Sequence, residues 1–252
     1  MLDLLVPCVE RAEDWCFWAG SSGYLFRLPF LGSILLIGQR SILRLTGSTH
    51  PQFLPFLAES SGGALVDRPF NKSSLLRAAA SESMARVLMF LDSDIRIAPN
   101  VVERLYQQLH AVTGPSCAHL ARVIESDPAQ RYGVVEGFWP QCSITSDGLV
   151  QIRLVPWRTA GWRPGFGNLM LFREHYFEVG QHDPAYVHYG WEDLDLLVRL
   201  QLAGLKVLSM GQACHRTHSD AKRSLAGFSR QQAVALMRAV FSAKFHAYLQ
   251  TE

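Results

Sequence analysis

The chain is short of cysteine, of charge of one sign and of long apolar runs, and each shortage removes a class of protein. Its five cysteines (Cys8, Cys16, Cys117, Cys142 and Cys214) are odd in number and scattered. That excludes a disulfide framework and offers zinc no close pair, so reduced, buried thiols are expected. A formal net charge of +2 over 252 residues is too small to argue for nucleic acid, and no zinc-finger or aromatic RNA-binding signature accompanies it. The apolar stretch from Tyr24 to Gly38 is broken by Arg27 and Pro29 and falls short of the roughly 20 residues needed to span a bilayer. Met1 to Val6 is too short for a signal segment and lacks a basic start, so a cytoplasmic protein is expected. There is no glycine-rich loop of the P-loop type, no internal repeat and no low-complexity segment.

What is present is a core-forming composition, 48% hydrophobic and 18% charged, which indicates a folded globular protein. Leu2 to Val6 reads as a buried strand stopped by Pro7, with a helix over Ala12 to Ala19 and a second strand over Ser33 to Ile37. His50 to Ser60 reads as a helix and Ala64 to Val66 as a short strand. Asn71 to Ser83 carries Leu75, Leu76 and Ala79 at helical spacing, and the strand that follows ends at Asp92. Strands alternating with helices predict a mostly parallel sheet. Pro99 opens a helix with Val102, Leu105 and Leu109 on one face.

Pro115 to Pro156 is less regular, with alternating apolar positions around Val134 and Ile152 and turn signals at Ser126-Asp-Pro and Ser146-Asp-Gly. Gly161 to Gly167 is rich in glycine, tryptophan and proline and leads into the apolar run Leu169 to Phe172, then a helix over Glu174 to Val179. A helix over Glu192 to Ala203, capped by Gly204, precedes a strand over Lys206 to Met210. A last helix covers about Ser229 to Leu249.

Three clusters carry chemistry. In Arg86-Val-Leu-Met-Phe-Leu-Asp92-Ser93-Asp94 an apolar strand ends in two carboxylates one residue apart. Strand positions i and i+2 share a face, so both acids are expected to converge on one hard divalent cation, such as Mn²⁺ or Mg²⁺. Ligands in open α/β sheets bind beyond the carboxyl ends of strands, which predicts a metal-assisted site for a phosphate-bearing molecule.

Tyr189-Gly190-Trp191-Glu192-Asp193-Leu194-Asp195 puts carboxylates at a helix start, where free N–H groups favour the ionised form. Such a group can take a proton from a hydroxyl. An acidic first turn is common, so Glu192 or Asp195 alone would carry no argument; beside the Asp-Ser-Asp run, the cluster does. His215 and His218 follow a strand and offer imidazole to complete the shell of the same ion. Lys222 and Arg223 read as solvated charge.

In order and spacing these residues resemble nucleotide-sugar-dependent glycosyltransferases of the GT-A fold, similar to the large inverting family 2 and to the β-1,4-galactosyltransferase family. The resemblance runs from Leu2 to about Ser219. Asp92-Ser93-Asp94 resembles the Asp-x-Asp motif that holds Mn²⁺ and the donor diphosphate. Leu5-Val6-Pro7, followed by Arg11 and Glu13, resembles the strand and turn that receive the nucleotide, and Phe70-Asn71-Lys72 resembles a helix start that touches base and ribose. Gly165-Phe166-Gly167-Asn168, then Phe172-Arg173 and Val179-Gly180, resembles the family's central segment. Gly190-Trp191-Glu192-Asp193-Leu194-Asp195 resembles the acceptor-site pattern.

The resemblance implies a Rossmann-like three-layer α/β/α domain over 1–220. Residues 1–98 would form the nucleotide-binding half and 99–220 the acceptor half, with a C-terminal helix packed on it over 221–252. It implies a catalytic pair of Asp193, as general base, and Glu192. It implies donor contacts from Pro7, Arg11, Phe70, Asn71, Lys72, Asp92, Ser93, Asp94, Gly167 and Trp191, and metal ligation by Asp92 and Asp94 with His215 or His218. The partners implied are a UDP-sugar and a glycan or lipid-linked acceptor, in polysaccharide or glycan biosynthesis. Tyr189, Trp191 and Trp162 are candidates to stack on sugar rings.

The pattern is departed from where Ile37-Gly38 runs into Gln39-Arg40, at Gln181 in place of a second glycine, and at Cys8 and Val9. The altered second strand leaves a non-catalytic sugar-nucleotide or glycan binder as an alternative, and a retaining transferase is a further one. The last helix carries Arg230, Arg238 and Lys244, and no acid occurs between Asp220 and Glu252. Its apolar positions Val234, Met237, Phe241 and Phe245 fit docking on the domain; its charge also suits peripheral contact with anionic lipid.

Overall fold

The computed structural model describes residues 1–7, 25, 27–37, 41–46, 52–55, 71–131, 133–218 and 227–250. The helix expected over 12–19, the strand expected over 64–66, and Arg11, Phe70, Lys222 and Arg223 lie outside these residues. In chain order the elements are β1 (Leu2–Pro7), β2 (Leu31–Ile37), β3 (Ser41–Leu45), β4 (Gln52–Pro55), α1 (Lys72–Glu82), β5 (Val87–Phe90) and β6 (Ile95–Arg96). There follow α2 (Pro99–Ala111), β7 (Ser116–Glu125), α3 (Pro128–Arg131), β8 (Val134–Ile144), β9 (Val150–Ala160) and β10 (Trp162–Phe172). The chain closes with α4 (Arg173–Glu178), α5 (Glu192–Leu202), β11 (Lys206–His215) and α6 (Arg230–Phe245).

The main sheet has the order β4-β3-β2-β1-β5-β10-β7-β11-β6. It is mixed. β1 lies parallel to β2 and β5, and β7 parallel to β11; the other pairings are antiparallel. Connection length is the reason. A parallel neighbour needs a crossover of a dozen or more residues, which α1 and its flanks supply before β5, whereas only residues 38–40 separate β2 from β3. The helix expected over His50 to Ser60 is corrected here: Gln52–Pro55 is the outermost strand, paired with β3 from Ser41↔Pro55 to Arg44↔Gln52. Proline cannot donate to a ladder and is confined to edges, and Pro51 and Pro55 would both obstruct a helix at that spacing.

Alternation along the strands divides the core between the two faces of the sheet. Leu2, Leu4, Val6, Val87 and Met89 face α2, whose Val102, Leu105 and Leu109 are buried against them. Leu5, Leu88 and Phe90 face the other way, onto Leu75, Leu76 and Ala79 of α1 and Leu196 and Leu200 of α5. Each fully buried leucine contributes roughly 1.5–3 kcal/mol.

The irregular stretch over Pro115 to Pro156 resolves into β7 and a long hairpin, β8 against β9, in register from Val134↔Ala160 to Ile144↔Val150. Its turn is the Ser146-Asp-Gly signal, with Gly148 at φ 83°. Met237, Phe241 and Phe245 of α6 pack on this hairpin through Ile152 and on Tyr186 and Val198. Among the described residues no helix is long and apolar enough to cross a membrane, and Cys117, Cys142 and Cys214 are free thiols. Burial pushes the Cys117 thiol up to about 12 and that of Cys142 to about 11.

Candidate active site

Because β5 and β7 both run antiparallel to β10, strands β1, β5, β7 and β11 point the same way and end on one edge of the sheet. Pro7, Asp92 to Asp94, Glu125 and His215 therefore gather there. The tiny strand β6 closes the group. It pairs antiparallel with the end of β11, His215 opposite Ile95, and the Arg216 amide donates to the Asp94 carbonyl at 2.8 Å. That pairing carries Asp94 to the histidines.

Asp94 Oδ2 lies 3.1 Å from His215 Nε2 and 2.9 Å from His218 Nε2. The three ligand atoms sit within 4.8 Å of one another. Metal–ligand bonds of roughly 2.1 Å to adjacent octahedral corners put ligand atoms about 3 Å apart, so spacing and donor chemistry both fit a divalent ion. His215 Nδ1 is held by Glu125 Oε2 at 2.5 Å, the carboxylate–histidine support that orients a metal-ligating imidazole. Burial opposes charge on His215, but its hydrogen bonds to Asp94 and Glu125 prevail and push it up to about 9. Asp94 feels burial too, and the two histidines hold it well below the usual carboxylate range.

Asp92 does not join this group. β5 ends at Phe90, so Asp92 and Asp94 lie in a turn beyond it and the shared strand face does not apply to them. Asp92 Oδ1 instead meets Lys72 Nζ at 2.9 Å, and its amide donates to Asn168 Oδ1 at 3.1 Å. Of the two carboxylates expected on one ion, Asp94 therefore stands with the two imidazoles and Asp92 with Lys72.

Lys72 is the hub of a second group. Asn71 caps α1 by accepting from the Ser74 amide at 2.9 Å, which sets Lys72 at the first helical position. Across from it, Gly190 at φ 98° and Trp191 at φ 72° turn the chain through the left-handed region into α5, a conformation costly for tryptophan. The turn aims Glu192 and Asp193 back at Lys72. Its ammonium lies 3.2 Å from both Asp193 oxygens and 3.6 Å from Glu192 Oε1. Burial opposes the charge on Lys72, but Asp193, Asp92 and Glu192 outweigh it and raise its pKa well above the ordinary lysine value.

Asp193 moves the opposite way: burial is overcome by Lys72 and His182, leaving it far below the carboxylate range. Burial and repulsion from Asp193 push Glu192 up to about 7, against Lys72. His182 Nε2 stands 3.8 Å behind Asp193 Oδ1, and its ring is fixed by Tyr176 Oη at 2.8 Å from Nδ1. His182 follows Gly180 and Gln181, both at positive φ, 82° and 65°. The glutamine thus occupies a backbone conformation that glycine adopts without cost.

Both groups open into one cavity of about 450 Å³, a usual size for a small-molecule site. Pro7, Lys72, Asp92, Ser93, Asp94, Gly167, Trp191, Glu192, Asp193, His215 and His218, all singled out in the sequence, line it. Asn71 does not, since its side chain caps α1 and donates to the Pro184 carbonyl at 3.0 Å. Trp162 is also outside it, beneath the Arg122 guanidinium. Asp195 is fully buried and structural, paired with Arg199 and with Lys244 of α6.

The sequence pattern missed Glu125, Arg163, His182 and Trp157. Glu125 is the register partner of His215 in the β7–β11 ladder, a relation legible only once that pairing is known. Arg163 is half-buried near Tyr189, Asp92, Asp94 and Glu125, whose charges outweigh desolvation and raise its pKa further. Trp157 Nε1, His188 Nδ1 and Glu192 Oε2 are buried polar atoms without a hydrogen-bond partner, on residues that line the cavity.

The family model described as the N-terminal domain of galactosyltransferase matches residues 150–220, the stretch from β9 to just past His218. No curated protein matches the chain. Among solved structures, the catalytic domain of Drosophila β-1,4-galactosyltransferase 7 in complex with xylobiose superposes with a TM-score of 0.54 at 17% identity, covering 94% of this chain and 79% of that one. GalNAc-T7 with UDP, GalNAc and Mn²⁺ gives 0.56 at 15% identity, covering 96% of this chain and 47% of that one. Glucosyl-3-phosphoglycerate synthase from Mycobacterium tuberculosis, with Mn²⁺, UDP and its product, gives 0.50 at 13% identity, covering 100% and 81%. The shared architecture is the GT-A fold.

Proposed function

We propose that this GT-A chain is a metal-dependent glycosyltransferase that moves a sugar from a UDP-sugar to an acceptor hydroxyl with inversion at the anomeric carbon. The observation that carries the reading is one cavity lined both by Asp94, His215 and His218, whose ligand atoms lie within 4.8 Å of one another, and by a helix-start aspartate, Asp193. Its GT-A neighbours bind UDP and Mn²⁺. Manganese or magnesium held by the triad would supply Lewis-acid stabilisation of the departing diphosphate.

The remaining work belongs to the chain. Glu125 holds the His215 ring in its ligating orientation. Arg163 and Lys72 bring positive charge to the side where the diphosphate's charge grows. Asp193 takes the acceptor's proton as that oxygen attacks from the face opposite the leaving group, in an oxocarbenium-like transition state. Glu192 Oε2 and Trp157 Nε1, with no protein partner, suit the hydroxyls of a glycan or lipid-linked acceptor. Trp191, packed between Phe138 and Phe241 with ring centroids 6.0 and 5.0 Å away, forms an aromatic wall with Tyr189. Val234 of α6 completes the cavity on that side.

The test is to incubate the purified protein with Mn²⁺, a panel of UDP-sugars and candidate glycans, and to follow UDP release and the anomeric proton coupling of the product. Inverted product is expected. Tight UDP binding without release from any donor would overturn the enzyme reading, and retained configuration would overturn the role of Asp193 as base.

Gly167 gives a second handle. A Cβ at this position would run into the Asp193 carboxylate and lie 3.0 Å from Lys72 Nζ. Gly167→Ala is expected to lower transfer on the order of 10²-fold through misplacement of the base, with a melting temperature close to the native one. Unchanged kinetics would show that Asp193 need not sit where it does.

A further inference from the structure

Asp193 must accept a proton, yet the group nearest to it works against that. The Lys72 ammonium contacts both Asp193 oxygens at 3.2 Å, Asp92 Oδ1 at 2.9 Å and Glu192 Oε1 at 3.6 Å. An ammonium has three N–H donors. Four carboxylate oxygens share them, so no contact is saturated and the charge can redistribute among its neighbours.

The base of the side chain is fixed by the Asn71 cap, while the four-carbon stem remains flexible. On one side the ammonium meets the proposed base. On the other it meets Asp92, two residues from Asp94, which lies against the two histidines. Lys72 therefore bridges the two halves of the cavity.

We propose that Lys72 is a positioning residue that couples the base to the donor: it holds Asp193 in an ion pair while the donor site is empty, and its ammonium turns to the diphosphate when a nucleoside-diphosphate sugar binds. Asp193 is then free to accept a proton. This inference rests on the reading of the cavity as a sugar-transfer site.

The charges make the exchange reasonable. Three carboxylates surround one ammonium, so the group attracts no further anion by itself, but Arg163 near Asp92 and Asp94 provides a second cation. An arriving diphosphate thus meets two cations at the boundary of the two halves. As Lys72 turns to it, Asp193 keeps only His182, 3.8 Å away, of the two groups that hold its pKa down, and its proton affinity rises. During transfer the acceptor's hydroxyl proton moves to Asp193, and the ammonium keeps its three protons throughout. The base is thereby activated only when there is a sugar to transfer.

The test is the titration of the Asp193 carboxyl carbon by ¹³C NMR, assigned with Asp193→Asn. It is followed in the native protein, Lys72→Met and Lys72→Arg, each with and without UDP and Mg²⁺. In the native protein the midpoint is expected well below the ordinary range and to rise by roughly one to three pH units on UDP binding. Lys72→Met should show the raised midpoint without UDP, and UDP should add little. Lys72→Arg should keep the low midpoint of the free protein.

In kinetics, the acid limb of kcat/KM, which reports the free enzyme, should move to higher pH in Lys72→Met while the limb of kcat stays. UDP that binds, as seen in its own phosphorus shifts, without moving the native midpoint would overturn the coupling and leave the transferase reading intact. So would a UDP-induced rise of the same size in Lys72→Met, which would trace to plain repulsion by the diphosphate. Failure of UDP to bind at all would overturn both. If Lys72→Met does not fold, the native and Lys72→Arg titrations decide.

Discussion

Asp193→Asn is expected to lower kcat for sugar transfer by roughly 10²–10⁴-fold, the usual contribution of a positioned general base, while leaving UDP affinity within a few-fold of native. Asparagine keeps the shape of the side chain and an oxygen for Lys72, so the packing at the start of α5 is retained. What it loses is the capacity to take a proton. The burden falls on one residue because the neighbouring acids are otherwise engaged. Asp195 is buried against Arg199 and Lys244, and the Glu192 side chain is only 9% exposed against 21% for Asp193, so Asp193 is the acid that an acceptor hydroxyl can reach. Steady-state kinetics with calorimetric UDP binding checks this. A variant that keeps more than about a tenth of native turnover would place the base elsewhere.

The second large effect is at the proposed metal triad of Asp94, His215 and His218. Asp94→Ala removes its one carboxylate and leaves two imidazoles with no anion between them. Mn²⁺ affinity and Mn²⁺-dependent transfer should fall by well over 10²-fold, since loss of an outer-shell partner alone typically costs about 10–100-fold. Glu125→Gln supplies that milder case, because it weakens the hold on His215 Nδ1 without touching a ligand atom. The two should therefore rank in that order.

The metal-free protein holds His215 protonated up to about 9, through Asp94 and Glu125 and against burial. A bound ion must displace that proton. Mn²⁺ affinity should therefore rise with pH, by about tenfold per unit for the one proton released, and level off near the histidine's own value. Calorimetry in buffers of different ionisation enthalpy counts the protons. A flat pH dependence, or equal losses in Asp94→Ala and Glu125→Gln, would remove His215 from the triad.

Much of the fold was legible in the sequence because it rests on short-range rules. Apolar runs of strand length marked β1, β2 and β5, and helical spacing of Leu75, Leu76 and Ala79 marked α1. Pro99 and Gly204 bounded helices as their backbone chemistry requires. The helix drawn over His50 to Ser60 went astray because an edge strand is specified by its neighbour, β3, and not by its own pattern. The β8–β9 hairpin showed its turn and apolar alternation around Val134 and Ile152 but not its bounds, since its faces are half-covered by α5 and α6 and the alternation is correspondingly weak.

By itself the sequence determined which chemistry the chain owns: carboxylates after an apolar strand, carboxylates at a helix start and imidazoles near a strand end, in an order that resembles GT-A transferases. Tertiary structure alone decided how those groups are shared out. Asp94 goes to the histidines and Asp92 to Lys72 because β6 pairs with β11 and because α1 faces α5. Local pattern acts over a few residues, whereas an ion pair such as Lys72 with Asp193 depends on the register and packing of elements more than a hundred residues apart, and no spacing rule reaches that far.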